Sequence, residues 1–394
     1  MNSSSPFRRL PASCIALLPP LALWALLLAA AGSLQGCGAS DANAQIPSAA
    51  QTAQTPTVRR GAQATPWGLP YANMPDIVPP NVRADAYTPL TEAQKGPAID
   101  PIKGYRIDNL GGGVFAVGDG SYSTMFVVSD VGVILVDAPP ALGAKILSAI
   151  QEVANGATIV ALVYSHAHLD HIGYASEVVK TNPGMQIVAH EETRKKLLFS
   201  SATRPLPTKT FDTQDVDFPL VVGNQTLQLR YPGPNHDLGN IGIYHPGQKV
   251  LMLVDVVYPG WMMWRRMGLA TDIPGYYALV KSMNARWDFD KLVAGHFQPG
   301  TKADVSTQLE FMTDLHDAVT EAIATIPYAN DALNAADVKN PWAATRDWTD
   351  RLTNHCVNKV SHKWASRLAA YDVWIYEQCE ALEQSIRIDG PSLK

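Results

Sequence analysis

Short apolar runs alternate with stretches of helical spacing between residues 105 and 294. Runs rich in Val, Phe and Ile, separated by turn residues, predict strands at 114–118, 122–129 and 132–137. Apolar residues at helical spacing predict a helix over 141–154. The run 158–164 (TIVALVY) is almost entirely apolar, as expected for a strand buried on both faces. The first half of this region therefore combines a sheet with helices.

The same theme continues along the chain and then changes. A helix, a strand and a helix are predicted at 174–180, 185–189 and 191–199, and strands at 220–231, 241–245, 250–255 and 292–294, with a helix at 276–285. Two successive β-rich halves predict an α/β fold, with a sandwich of two sheets covered by helices. From residue 301 to 394 the pattern is helical almost to the end, which predicts a C-terminal helical region.

The first 36 residues have the features of an export signal rather than of the folded domain. Arg8 and Arg9 precede an apolar segment at 21–31, which is too short to span a bilayer, since a spanning helix needs about 20 residues. The segment ends in Leu-Gln-Gly-Cys at 34–37, similar to a bacterial lipobox with Cys37 as the lipidated residue. Ordinary cleavage after Ala44 is the alternative. We expect an exported protein, periplasmic or anchored to the outer membrane, whose only membrane contact is this lipid anchor.

Composition narrows the remaining possibilities. Residues 38–101 hold ten prolines and no apolar periodicity, so residues 37–104 are interpreted as a tether followed by an extended arm. Charged residues make up 17% and hydrophobic residues 46% of the chain, which excludes a charge-driven disordered protein. The net charge is −5 and no long Lys/Arg run is present, which argues against nucleic-acid binding as the main task.

Four cysteines are present. Cys14 lies in the signal, and Cys37 is either acylated or removed. In an oxidising compartment Cys356 and Cys379 form a plausible pair, and two buried free thiols are the alternative.

The segment Ser-His-Ala-His-Leu-Asp-His at 165–171 directly follows the apolar strand 158–164. Imidazole and carboxylate groups are common zinc ligands. Alternation in an extended segment sends His166 and His168 to one side, and a turn can send Asp170 and His171 to a second metal ion nearby. The sequence therefore predicts a metal site at the end of this strand.

This string resembles the HxHxDH signature of the metallo-β-lactamase superfamily, and the resemblance extends over residues 105–300. The family expects a histidine after a strand of the second half, a bridging residue after the next strand and a last histidine after a further strand, which His236, Asp255 and His296 match. It also expects an early strand that ends in Asp, here Asp137, to hold the metal loop by hydrogen bonds. The resemblance thus implies a metallo-β-lactamase-like domain at 105–300.

The resemblance implies two divalent metal ions, zinc by expectation. His166, His168 and His236 would bind one ion, Asp170, His171 and His296 the other, and Asp255 would bridge them. Two such ions share a hydroxide that attacks an acyl carbon. Asp170 would orient this nucleophile and pass a proton. Tyr258 lies in the segment that directly follows Asp255, and its position near the metals would let it donate to an oxyanion.

Asp255 also bears on the substrate. True β-lactamases usually have Cys or Ser at this position, whereas the glyoxalase II, lactonase, phosphodiesterase and alkylsulfatase branches usually have Asp. We therefore expect a small apolar ester, thioester or lactone as substrate. Gly233, Pro234 and Asn240 look lactamase-like and keep a β-lactam hydrolase as the alternative. A non-catalytic exported metal-binding protein and an iron redox enzyme are two further readings.

The apolar stretch 256–264 directly follows Asp255. It is either an apolar wall of the substrate site or ordinary packing under the C-terminal helices. Arg265 and Arg266 come next, and they either attract a substrate carboxylate or form a solvated pair.

Overall fold

A computed structural model describes residues 87–200, 203–328 and 341–390. The predicted signal, the lipobox at Cys37 and the greater part of the tether lie outside the described residues. Two sheets organise the described chain. The first contains, in spatial and chain order, β1 Arg106–Gly111, β2 Val114–Gly118, β3 Ser123–Val128, β4 Val133–Val136, β5 Ile159–Val163, β6 Gln186–His190 and β7 Lys209–Phe211. Its strands are antiparallel from β1 to β4 and parallel from β4 to β7.

The second sheet has five strands in the order β12-β11-β10-β9-β8. They are β8 Phe218–Val222, β9 Gln225–Arg230, β10 Gly242–His245, β11 Val250–Met252 and β12 Lys291–Val293. All neighbours are antiparallel except β11 and β12, which are parallel.

Helices complete the fold. They are α1 Lys145–Val153, α2 Leu169–Ile172, α3 Ala175–Thr181, α4 Glu191–Phe199, α5 Arg265–Leu269, α6 Ile273–Arg286, α7 Lys302–Thr325, α8 Pro341–Trp364 and α9 Tyr371–Ile388. Short 3-10 turns lie at Glu92–Gln94 and Pro246–Gln248. None of the helices in the described part of the chain is both long and apolar enough to cross a membrane.

Three apolar cores separate four layers. Strand β4 shows how the layers arise, since its side chains point alternately to the two faces of the sheet. Val133 and Leu135 pack with the helices of the first half, whereas Ile134 and Val136 pack against the second sheet. A third core joins the second sheet to the helices α6 to α9. The α/β sandwich with a C-terminal helical region, expected from the pattern, is thereby confirmed.

The predicted single strand at 220–231 is wrong. The structure has a hairpin there, in which Val222 pairs with Gln225 around the two-residue turn Gly223-Asn224. Gly223 has a φ of 54°, which a short hairpin turn requires and glycine adopts without strain. Apolar residues flank this turn on both sides, so the pattern alone predicts one continuous strand. The edge strands β1 and β7 were not predicted either.

The C-terminal helices are cross-linked. Cys356 on α8 and Cys379 on α9 form a disulfide, which confirms the predicted pair. The end of the arm also contacts this region, because the Thr88 N–H and hydroxyl both donate to Asp372 of α9, at 2.7 and 2.6 Å.

Candidate metal centre

Polar side chains gather where strands of both sheets end at one edge of the sandwich. The loop with His166, His168, Asp170 and His171 follows β5, and Asp137 follows the neighbouring β4. His236 comes after β9, Asp255 after β11 and His296 after β12. Buried strands of both sheets therefore deliver all seven predicted metal-site residues to one place, as the two groups below show.

The first group comprises His166, His168, His236 and Asp255, with candidate ligand atoms all within 4.8 Å of one another. His168 Nδ1 and His236 Nε2 lie 3.0 Å apart. Asp255 Oδ2 lies 3.1 Å from His236 Nε2 and 3.7 Å from His166 Nε2.

The second group comprises Asp170, His171, His296 and again Asp255, within the same 4.8 Å limit. Asp255 Oδ2 is 3.0 Å from His171 Nε2, and its Oδ1 is 2.9 Å from His296 Nε2. Asp170 Oδ2 is 3.4 Å from His171 Nε2. One buried carboxylate is thus shared by both groups, which is the arrangement expected of a bridging residue.

The donor set fits divalent metal ions. His166 Nε2, which faces Asp255, is buried and finds no hydrogen-bond partner among the described residues. Such orphaned atoms are costly unless something binds them. Burial, together with the neighbouring imidazoles of His168 and His236, holds the pKa of His166 well below its usual value, so its ring is neutral, the form that binds metal.

Asp255 is held ionised. Burial alone would raise its pKa, but the imidazoles of His171, His296 and His236 outweigh burial and hold the pKa well below the usual range. Its backbone is left-handed, with a φ of 60°, which is uncommon for a residue other than glycine and is typical of functional sites.

Asp137 binds the metal loop by hydrogen bonds, as the family resemblance implied. It accepts hydrogen bonds from Ser165 N at 2.7 Å and from Ser165 Oγ at 2.6 Å, and that hydroxyl lies 2.9 Å from His166 Nδ1. This chain occupies His166 Nδ1 and leaves Nε2 to face the site, which is how outer partners orient metal-binding imidazoles. Burial raises the pKa of Asp137 to about 7, although His171 and Ser165 oppose the shift.

A second orienting carboxylate was missed from the sequence. Asp237 is fully buried, and its Oδ2 lies 3.2 Å from His168 Nε2, the ring nitrogen that faces away from His236. Lys196 of α4 pairs with the same carboxylate. Burial raises the pKa of Asp237, but the bonds to His168 and Lys196 dominate and hold it well below the usual range. Its position directly after His236 was the available signal.

Tyr122 was missed as well. Its hydroxyl lies 3.3 Å from Asp170 Oδ2, and its ring packs 4.5 Å from the ring of His296 and 5.7 Å from that of His171. Burial and Asp170 raise the pKa of Tyr122 to about 12, so the phenol stays protonated and can donate at neutral pH.

The stretch after Asp255 is packing for the most part. Val256, Val257, Met262 and Met263 are at most 2% exposed and belong to the core under the C-terminal helices. The reading of this stretch as an apolar wall of the site is therefore wrong for these residues.

Tyr258 lies in the same core but its ring is near the site, 6.1 Å from the ring of His296. Burial, and after it the charge of Asp255, raises its pKa well above the usual value. The phenol is therefore a protonated donor beside the shared carboxylate.

Arg265 and Arg266 open a left-handed turn. Arg266, Met267, Gly268 and Leu269 all have φ between 53° and 67°. Left-handed backbone costs about 1–2 kcal/mol for each residue other than glycine, so the surrounding contacts must hold this turn. Arg265 pairs with Glu377 at 3.0 Å and Arg266 with Glu380 at 3.4 Å, both on α9, so the two arginines are engaged by the protein itself.

The chain is similar to several known proteins. Residues 117–288 match the family model described as the metallo-beta-lactamase superfamily. The alpha subunit of 2,4-dinitroanisole O-demethylase from Nocardioides sp. (strain JS1661) is 27% identical over 216 residues, which are 48% of this chain and 65% of that subunit. The beta subunit is 24% identical over 234 residues, 57% of this chain and 69% of that subunit. The chain thus spans slightly less than two thirds of the alpha subunit.

Solved structures that are similar to this chain include a metallo-beta-lactamase from Pontibacter korlensis, at 21% identity and a TM-score of 0.45, covering 52% of this chain and 97% of that one. Another is metallo-beta-lactamase IND-7, at 19% identity and a TM-score of 0.45, covering 52% and 96%.

Proposed function

Since the chain contains a metallo-β-lactamase superfamily domain at residues 117–288, we propose that it is a metal-dependent hydrolase of ester-like bonds in small apolar substrates. The bond is that of a carboxylic ester, lactone or thioester. The observation that carries the proposal is the buried Asp255 carboxylate, which both groups of ligands share. A bridging oxygen ligand in place of a softer thiolate favours hard, oxygen-directed chemistry.

The residues present would hold two divalent ions, which we propose to be zinc. His166, His168 and His236 serve one, Asp170, His171 and His296 the other, with Asp255 between them. When bound, such ions polarise a carbonyl and make a water nucleophilic at neutral pH.

Asp170 and Tyr258 are the proposed catalytic residues. The Asp170 side chain is 48% exposed, more than any other of the seven metal-site residues. It can therefore contact an entering water molecule and the substrate. Its carboxylate orients that water and accepts its proton, while Tyr122 holds the carboxylate from the other side. Tyr258 donates a hydrogen bond to the substrate oxygen that gains charge.

Exposed apolar side chains next to site residues support an apolar substrate. Leu169 is 60% exposed beside Asp170, Leu238 is 45% exposed two residues after His236, and Leu269 is 51% exposed at the end of the left-handed turn. Each CH₂ of a substrate that they remove from water is worth about 0.8 kcal/mol. They take the place of the predicted wall at 256–264.

A second candidate is hydrolysis of an activated aryl methyl ether to a phenol and methanol. It is supported by the two matching proteins, both named as O-demethylase subunits. It uses the same water and the same site, but its leaving group is methanol or a phenol rather than a carboxylic ester alkoxide.

One experiment separates these candidates. Zinc-loaded protein is assayed for kcat/KM on a medium-chain lactone, a phenyl ester, 2,4-dinitroanisole and a cephalosporin. We expect the lactone or ester to be preferred. A tenfold preference for the ether or the β-lactam would replace the ester proposal by that activity, and no turnover of any substrate at full metal loading would favour a non-catalytic metal-binding protein.

We also propose export with a lipid anchor at Cys37. The disulfide between Cys356 and Cys379 supports an oxidising compartment. Mass spectrometry of the mature N-terminus tests this, because an acylated Cys37 is expected and a terminus at Gln45 would contradict the anchor.

A further inference from the structure

A buried glutamine on α7 binds the backbone that follows Asp255. The Gln308 side chain accepts a hydrogen bond from Tyr258 N–H at 2.9 Å and donates to the Val256 carbonyl at 2.5 Å. Gln308 is 6% exposed. Both the oxygen and the nitrogen of its amide therefore bind the segment that carries Tyr258.

A second buried glutamine, on α9, does the same a few residues later. The Gln378 side chain accepts from Met267 N–H at 2.6 Å and donates to the carbonyls of Met263 and Trp264 at 2.7 and 3.0 Å. Gln378 is fully buried, and the neighbouring Cys379 is tied to α8 by the disulfide. One amide thus links the residues just before the left-handed turn to Met267 within it.

The turn in its left-handed form fits against the site. A Cβ atom on Gly268 would lie 2.9 Å from Tyr258 Oη, 3.2 Å from the Asp255 carbonyl and 3.5 Å from His236 Nδ1. The Gly268 backbone therefore fills the space between the Tyr258 hydroxyl and the His236 ring, and a glycine is needed for this close approach.

We propose that Gln308 and Gln378 are positioning residues, through which the C-terminal helices hold the segment from Val256 to Leu269 and set the Tyr258 phenol against the paired His/Asp groups. Both lie outside the superfamily match at 117–288, so the helical extension completes the site instead of only covering the core. Any role in turnover rests on the proposed function, whereas the position of the phenol does not.

Buried amides are an informative choice for this task. Apolar side chains would fill the same volume, and a buried amide is tolerated only where its hydrogen bonds are made. Both glutamines make these bonds to backbone groups of a single segment, so their chemistry is directed at the conformation of that segment.

The first test reads the phenol directly. 3-Fluorotyrosine is placed at position 258, and ¹⁹F NMR spectra are recorded with and without zinc for the parent protein, Gln378→Met and Gln308→Met. We expect one narrow resonance in the parent and a shifted or multiple resonance in both variants. The matched control is Gln384→Met, also on α9. Its amide accepts from the Arg266 guanidinium, and among the described residues it binds no backbone group of the segment, so its spectrum should match the parent. Unchanged spectra in folded Gln378→Met and Gln308→Met would overturn the proposal.

The second test is a double-mutant cycle on the best substrate found. Gln378→Met should lower kcat about tenfold with unchanged zinc content and KM within about twofold, because it removes an interaction that matters in the transition state. In the Tyr258→Phe background the same change should cost little more, whereas additive losses would contradict positioning through Tyr258. If no substrate is turned over, the proposed function fails while the ¹⁹F result still decides this inference.

Gly268→Ala covers the case in which Gln378→Met does not fold. The added methyl collides with the Tyr258 hydroxyl, so the ¹⁹F resonance should move, and the loss in kcat should be smaller when Tyr258 is Phe. Equal losses in the two backgrounds would count against the proposal.

Discussion

The strand-edge site and the C-terminal helical region solve different physical problems. At the strand edge, ionisable groups are crowded around Asp255, with four imidazoles between 2.9 and 3.7 Å from its oxygens. In the C-terminal region, α7, α8 and α9 bury an apolar core and a disulfide. Crowded ionisable groups generally cost stability, whereas a buried apolar core and a cross-link contribute to it, so the two regions have opposite physical characters.

The two regions should therefore respond differently to substitution. Damage at the strand edge should cost metal and activity while the fold remains, and damage in the helices should cost stability while the metal remains.

The largest effect is expected at His168. His168→Ala removes one ligand candidate of the first group, so zinc content should fall by about one ion per chain. Activity should fall by more than about 100-fold, the upper end of what outer-shell changes cost. Elemental analysis measures the zinc content and circular dichroism shows whether the variant is folded. Full zinc occupancy in a folded variant would refute the site assignment.

Asp237→Asn gives a smaller change of the same kind. The amide cannot balance Lys196 or hold His168 as the carboxylate does, so zinc affinity should fall about 10- to 100-fold. Competition with a chelator measures this affinity. Lys195→Met on the same helix is the control, since the exposed Lys195 pairs with Glu192 and not with Asp237. Unchanged affinity in Asp237→Asn would mean that the carboxylate does not orient the ring.

The disulfide sharpens the other side of the comparison. Replacing both Cys356 and Cys379 by Ser should lower the free energy of unfolding by about 3 kcal/mol in the loop-entropy description, with zinc content unchanged. Denaturant titration measures the loss. In the parent protein, thiol titration after denaturation without reduction should find no free thiol at either position. Two titratable thiols would contradict the disulfide.

Leu269→Ser should have a modest effect on catalysis. It removes exposed apolar surface at the end of the left-handed turn, so KM for an apolar ester should rise about three- to tenfold with little change in kcat, the signature of lost uniform binding. Steady-state kinetics with a short and a long acyl chain test this. Equal KM changes for both chains would remove Leu269 from the substrate site.

The smallest effect is expected at Arg265. Its pair with Glu377 joins an arginine side chain that is 50% exposed to a carboxylate that is 12% exposed, and solvent at the arginine screens the attraction. Arg265→Ala should therefore lower the free energy of unfolding by about 1 kcal/mol and leave zinc content unchanged. A larger loss, seen by thermal unfolding, would show that charge pairs rather than the buried amides hold the turn.

The sequence by itself determined the positions that gather at the site. The string at 165–171 follows an apolar run that predicts a buried strand, and periodicity alone supplied this part of the site. The resemblance of the string to the HxHxDH signature then pointed to His236, Asp255, His296 and Asp137 at the ends of other strands. The cysteine pair was predicted from the two cysteines that remain after the expected export signal.

The tertiary structure alone decided how these positions are held. Gln378 meets Met267 across 111 residues of chain, and Tyr122 meets Asp170 across 48, distances over which no periodicity connects the partners. The left-handed conformation at Arg266 and Met267 contradicts the local preference of both residues, so tertiary contacts such as that of Gln378 must stabilise it. Local propensity and burial specify strands and their ends, whereas backbone strain is stabilised by distant side chains, and it becomes visible only once the helices are packed.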